Sequence, residues 1–320
     1  MNRKTKIWLI AATALVILGL VMFAGVMSAY SWDFDELGIE RFGTSGVTTN
    51  EQIRDISIQT DTADIVFLPA EDGVCKVICY EKESERHSVT VQDGVLTIRA
   101  EKKKWYENIG ISFDTPEITV YLPGREYGKL LIKESTGDVE IPDVFRFESV
   151  DITTSTGDVE TEASVAETLK IKTSTGDIQV KNVTADTLDL SVSTGHITVA
   201  NVTCEGDIQT SVSTGKTNIT DLKCKNLLSY GDTGDLFLHN VVAGESFSIV
   251  RSTGDVNFVA CDAGQILVKT DTGDVTGSLL TDKIFLAQTD TGSVNVPKTT
   301  SGGKCEITTD TGDIKLEIAK

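Results

Sequence analysis

The chain has 320 residues, 40% hydrophobic, 24% charged and 6% aromatic, a globular balance that can fill a core. Its formal charge of −19 excludes nucleic acid and anionic lipid headgroups as partners by repulsion, and keeps a β-rich chain from sticking to itself. Few aromatics beside abundant Gly, Thr, Ser, Val and Ile favour strands joined by tight turns over helices.

Residues 7–29 form an unbroken apolar run, long enough to cross a bilayer as a helix. Arg3, Lys4 and Lys6 precede it, and Asp33, Asp35 and Glu36 follow, so the positive-inside rule puts the amino terminus in the cytoplasm and the rest outside. Trp8 at one end, with Tyr30 and Trp32 at the other, fits the two interfacial belts. A cleaved signal peptide is the competing reading. It has a shorter apolar core and small residues at −3 and −1, whereas a cut after Ala29 puts Met27 at −3. An uncleaved anchor over residues 1–30 is therefore favoured, and either reading exports the chain.

Residues 31–50, with Gly38, Gly43 and Gly46 among Thr and Ser, read as a linker. Residues 51–129 read as a β-rich amino-terminal cap holding one or two degenerate coils. The basic-aromatic cluster of Lys102, Lys103, Lys104, Trp105 and Tyr106 reads as an exposed hairpin tip.

From residue 130 to 320 a Thr-Gly pair recurs, its glycines being Gly137, Gly157, Gly176, Gly195, Gly215, Gly234, Gly254, Gly273, Gly292 and Gly312. The full motif is Ser or Asp, then Thr-Gly, then usually Asp, at spacings of 19 or 20 residues. Numbered from each Gly, positions −7 and −5 are apolar (Leu169/Ile171, Leu188/Leu190), as are +2 and +4 (Ile178/Val180, Ile197/Val199). A shorter apolar pair lies at +7 and +9 (Val183/Ala185, Val202/Cys204). A period of two within each segment means strands with one buried face. No single circuit can bury that face, but stacked circuits can. The sequence therefore predicts a parallel β-solenoid of ten coils, successive coils pairing above and below, with a right-handed winding. At the far end, Ile314, Leu316 and Ile318 would form a bare edge that invites end-to-end association.

The corner Gly supplies a positive φ, and the flanking Ser, Thr and Asp can bond the turn. These ten glycines are therefore structural turn residues. A sharper reading of the corners is a calcium ladder. Asp232, Asp235, Asp271, Asp274, Asp290, Asp310 and Asp313 gather in the later coils, where stacked carboxylates repel and a hard cation relieves them. His196, Lys216 and Ser293 at the Asp position argue against a strictly required ladder.

The six cysteines make no CxxC pair and no zinc spacing. Cys204 and Cys224 share position +9 in successive coils, within disulfide range. Cys261 and Cys305 have no such neighbour, and Cys75 and Cys79 lie too far apart to bridge each other if extended. Buried thiols are the simplest reading for all six, with a Cys204–Cys224 bridge as the alternative.

With a short basic start, one membrane helix, an Ile118-Thr-Val-Tyr-Leu-Pro123 approach and serial Ser135-Thr-Gly-Asp-Val139 repeats, the chain resembles the bacterial "putative adhesin" β-strand-repeat family, including its LiaG-like members. The resemblance covers residues 50–320. It implies an adhesin-type, cell-envelope or envelope-stress role, and it offers no catalytic residues to carry over. A carbohydrate-active enzyme on the same solenoid needs paired acids in a cleft built on long insertions. The 19- and 20-residue spacing leaves no room for these, and His87, His196 and His239 have no local partners. The sequence reading is thus a non-catalytic, membrane-tethered, acidic rod. Its envelope partner is unidentified, and a polymerising scaffold is the alternative.

Overall fold

The computed structural model describes residues 3–29, 42–82, 85–101 and 115–319. Helix α1 (Arg3–Ala29) is long and apolar enough to cross a membrane, and Trp8, Leu15 and Phe23 are among its exposed side chains. Tyr30, Trp32, the acidic residues after them and the Lys102–Lys104, Trp105, Tyr106 cluster lie outside the described residues. All described strands join one 26-stranded sheet, wound as a β-solenoid.

The amino-terminal part consists of β1 (Phe42–Thr49), β2 (Asp55–Gln59), β3 (Asp64–Pro69), β4 (Cys75–Lys82), β5 (His87–Gln92), β6 (Val95–Ala100) and β7 (Glu117–Leu122). The Gly137 coil follows as β8 (Glu126–Lys133) and β9 (Val139–Ile141). From there parallel strands pair in the register of the repeat: Leu169 lies beside Leu188, Ile171 beside Leu190, and Ile178 beside Ile197. These inward residues are fully enclosed and belong to one continuous core.

Each coil has three sides. The Gly corner is the first bend. A second falls six residues later, where Asn182, Asn201, Asp221, Asn240 and Ala260 take φ between 52 and 58°. Asn and Asp tolerate this left-handed conformation because a short polar side chain can bond locally. The third bend follows position +9, and register shifts mark it between Cys224 and Asn226 and between Ala243 and Ser246.

The stacking order departs from the chain order at both ends. Strand Gly303–Thr311 pairs on one side with Val256–Thr272 and on the other with Lys283–Thr291. The Gly312 coil thus sits between the Gly273 and Gly292 coils. The expected bare edge is covered at its start: Ile314–Ile318 pairs along its length with Val275–Leu279, and on the other side Val294 and Asn295 pair with Ile314 and Lys315, leaving Leu316 and Ile318 with one strand neighbour. The Gly292 segment suits the outside. Its second side has only two strand residues before Pro297, which has no N–H to give a ladder. The Gly312 coil instead carries a full inward set in Cys305, Ile307, Ile314 and Leu316.

A matching exchange occurs at the other end. β2 pairs with β8 and β3 with β9, so residues 55–69 stack directly under the Gly137 coil. β6 and β7, later in the chain, stack beneath them in parallel. Strands β1, β4 and β5 then close this end by antiparallel pairing, β4 with β7 and β1, and β5 with β6. Residues 42–49, assigned by composition to a linker, are strand β1. Its Gly and Ser content suits an edge lying flat on β4, where Ser45 stands opposite Cys79.

Candidate functional site

The corners form the most regular outer feature. All ten corner glycines have φ between 131 and 155°, and a Cβ on any of them would fall 1.8–2.2 Å from the carbonyl oxygen of the neighbouring corner. In the middle of the rod the glycines meet one another directly. A Cβ on Gly195 would strike the Gly176 oxygen, one on Gly215 that of Gly195, one on Gly234 that of Gly215, and one on Gly254 that of Gly234. Glycine is needed here for close stacking as well as for φ.

Just beyond, each acidic side chain accepts the backbone N–H of the coil above: Asp158 N to Asp138 at 2.7 Å, Asp177 N to Asp158 at 2.7 Å, Asp274 N to Asp255 at 2.8 Å. His196 substitutes by accepting Lys216 N–H on Nδ1 at 2.9 Å. The ladder begins at Asp64, within the sequence Asp61-Thr-Ala-Asp64, which is the same corner with Ala63 in place of glycine.

This ladder defines the proposed calcium ligands. Asp235, Asp274 and Asp313 hold the N–H groups of Asp255, Asp313 and Ser293. Two hydrogen bonds from Ser293, backbone and hydroxyl, keep the Asp313 carboxyl below its usual range. Asp232, Asp271, Asp290 and Asp310 are exposed two residues before their glycines. Among the described residues the trio of potential ligands that comes within coordinating reach is Cys79, Glu81 and His87 in the cap, and none of these aspartates belongs to it.

All six cysteines are buried free thiols, which corrects the alternative of a Cys204–Cys224 bridge. The Cys204 thiol instead donates to the Asp186 carbonyl at 2.9 Å. Burial pushes the Cys224 thiol up to about 12, with Cys204 and Asp207 adding to the effect.

A further inward column, at position −3, escapes the sequence reading because its residues are mostly polar. It includes Glu134, Thr154, Thr173, Arg251, Thr270 and Thr309, all buried. Thr173 and Thr309 turn their hydroxyls onto the corner carbonyls of Gly157 and Gly273, Thr154 donates to the Thr156 carbonyl, and the Thr270 hydroxyl has no partner within hydrogen-bond reach among the described residues. Glu134 has no close partner for either oxygen. Burial lifts its carboxyl to about 8, opposed by the Thr154 hydroxyl and reinforced by Asp64 and Asp138. Arg251 is 2% exposed, reaches Ser229 at 2.8 Å, and fills the space over Gly231, where a Cβ would meet Nη1 at 1.7 Å. Burial lowers the Arg251 guanidinium to about 10, and Asp235 offsets part of that.

Along the third side, the early coils enclose a shallow groove of about 420 Å3. Tyr127 and Phe147 form its floor, their rings 5.8 Å apart, and Glu126, Glu148, Asp186 and Glu205 stand on its rim with Arg146. Tyr127 donates its hydroxyl to the Pro123 carbonyl at 2.7 Å, and burial holds that proton more tightly than in a free phenol. The groove can receive an extended neutral or cationic group. Glu134, Arg251 and the cysteine thiols, whose proton affinities are displaced, do not line it. At the far end the outermost coil leaves Ile284, Leu286 and Val294 exposed at 44, 52 and 44%.

The family model described as Toastrack DUF4097 matches residues 53–212, half of the chain. Solved structures of similar shape include a "putative adhesin" from Parabacteroides merdae, 13% identical with a TM-score of 0.48, covering 88% of this chain and 98% of its own. A "putative lipid binding protein" from Parabacteroides distasonis is 15% identical with a TM-score of 0.47, covering 86% and 97%. A "putative adhesin" from Bacteroides fragilis is 15% identical with a TM-score of 0.41, covering 87% and 97%. No curated protein matches the sequence.

Proposed function

The chain belongs to the Toastrack DUF4097 family, and we propose that it is a non-catalytic binding protein of the cell envelope, tethered by α1 with the solenoid outside. One observation carries the binding reading. The carboxylates directly after the corner glycines accept backbone N–H groups, while Glu126, Glu148, Asp186 and Glu205 line up along one groove. A rigid frame holds such a rim without an ordering cost on binding. The rim charge favours an extended neutral or cationic ligand over an anionic one.

The test is in-cell crosslinking followed by identification of captured neighbours, with native chain and a Glu148→Lys/Asp186→Lys/Glu205→Lys variant. Capture that disappears in the variant while its melting curve is unchanged supports the groove. Turnover of a glycan that depends on one rim carboxylate overturns the non-catalytic reading. Carbonate washing tests the tether: the chain stays in the membrane pellet if α1 anchors it, and release contradicts the anchor.

Exposed Ile284, Leu286 and Val294 favour a second reading, self-association through the outermost coil. The opposite end carries no such apolar set on its antiparallel edge strands β1 and β5, so two copies would meet by their carboxy-terminal ends as a dimer. Sedimentation should then show a dimer that Leu286→Lys dissociates, and a monomer at every concentration excludes it.

A further inference from the structure

The amino-terminal cap encloses a cluster that neither the stacking nor the groove uses. Cys79 and Glu81 alternate along β4 and so face the same way. His87 opens β5 and turns back onto them. One ligand atom from each lies within 4.8 Å of the others. Cys79 is 1% exposed, and the side chains of Glu81 and His87 are each 4% exposed. His87 Nδ1 is 2.8 Å from Glu81 Oε2, which also accepts the His87 backbone N–H at 2.8 Å. The Ser45 hydroxyl donates to Glu81 Oε1 at 2.8 Å, and Thr60 Oγ1 lies 2.8 Å from His87 Nε2.

We propose that Cys79, Glu81 and His87 form a zinc site that pins β4 to β5 within the cap. The donor set points to this metal. A thiolate with an imidazole and a carboxylate suits a borderline-soft ion that accepts four ligands, and does not suit calcium or magnesium. The imidazole is oriented for it as well. Nδ1 faces the Glu81 carboxylate, while Nε2 faces the Thr60 oxygen. A metal on Nδ1 moves the ring proton to Nε2, where Thr60 accepts it, the outer-shell arrangement that fixes a metal-bound histidine.

Charge gives a third reason. Zinc with one thiolate, one carboxylate and a neutral imidazole sums to zero, which lowers the cost of enclosing the group. Binding breaks the Cys79 S–H bond, forms the S–Zn bond and releases that proton to solvent. Because the thiol must lose its proton to bind, affinity should rise with pH. Ser45, opposite Cys79 on β1, or a water supplies the fourth position. The three ligands join β4 to β5, and the Thr60 contact of His87 extends the link to the residue after β2.

The experiment uses the full chain in detergent micelles, without a histidine tag and stripped with a chelator. Zinc chloride is titrated calorimetrically, retained zinc is counted after gel filtration, and cobalt(II) is added to a parallel sample. The expected results are one zinc per chain, a rise in melting temperature, and a cobalt spectrum with a thiolate charge-transfer band and tetrahedral ligand-field bands. Cys79→Ser and His87→Gln should each weaken zinc binding by about 10-fold or more, while Cys75→Ser leaves the cobalt band in place. If either ligand variant misfolds, the cobalt spectra of the native chain and of Cys75→Ser decide alone. No retained zinc, or a cobalt spectrum without the thiolate band, overturns the proposal and leaves the trio as a hydrogen-bonded buttress.

Discussion

Replacing Gly176 with alanine tests why the corners stack so closely. The new Cβ would lie 2.1 Å from the Gly157 carbonyl oxygen, at φ +135°. Ordinary contact needs more than 3 Å, so the two corners must part by about 1 Å. That stretches two bonds between these coils, Gly157 N–H to Thr175 O at 2.9 Å and Val159 N–H to Asp177 O at 2.9 Å. Each is worth about 0.5–1.5 kcal/mol, and the backbone strain adds about 1–3 kcal/mol. The expected loss is about 3–5 kcal/mol. Gly73→Ala is the control, since Gly73 also has positive φ, +71°, but open space around it. It should cost only about 1–2 kcal/mol. Urea unfolding gives both values, and native-state hydrogen exchange should localise the Gly176→Ala loss to adjoining coils, because each coil contacts only its neighbours. Equal costs for the two variants, or protection lost evenly along the rod, would refute the reasoning.

Glu134, lifted to about 8 in the fold, keeps its proton where the unfolded chain has lost it above about 4.3. Its stabilisation is complete below the unfolded value and is lost as pH rises from there through about 8. Glu134→Gln should flatten melting temperature against pH over that window and stabilise the chain by a few kcal/mol at pH 8; an unchanged profile contradicts this. Gly231→Ala should destabilise by about 1–3 kcal/mol through collision with Arg251, and Arg251→Thr should remove that penalty in a double-mutant cycle. Ala260, at φ 52° in a column of Asn and Asp, should gain about 0.5–1 kcal/mol as Ala260→Asn, read by urea unfolding; a loss argues that the bend is not the source of strain.

The alternation around each Thr-Gly was legible because apolar residues at −7, −5, +2 and +4 leave one arrangement that hides them all. The inward column at −3 was not, since Thr173 or Arg251 there reads as surface until the corner carbonyls and the open space over Gly231 are in place. Asp61-Thr-Ala-Asp64 carried the motif frame, but Ala63 broke the glycine pattern used to find it. Asp93-Gly94, with φ of 55 and 79°, offered a short-hairpin signal for β5 and β6. The exchanges at the two ends have no such signal, because near-identical coils pair equally well with several neighbours. Only differences such as Pro297 against the full inward set of Cys305 to Leu316 decide the order. The cap trio was hidden for a related reason. Glu81 and His87 meet only once β4 and β5 turn back toward each other.

Cysteine pairs at exposed corner threonines test stacking and order together. Thr272 lies beside Thr311, and Thr311 beside Thr291, which leaves Thr272 and Thr291 two rungs apart, about 10 Å. Under mild oxidation Thr272→Cys/Thr311→Cys should form a disulfide and Thr272→Cys/Thr291→Cys should not. The reverse pattern would mean that coils stack in chain order, and no bridge in either pair would mean that the corners do not stack.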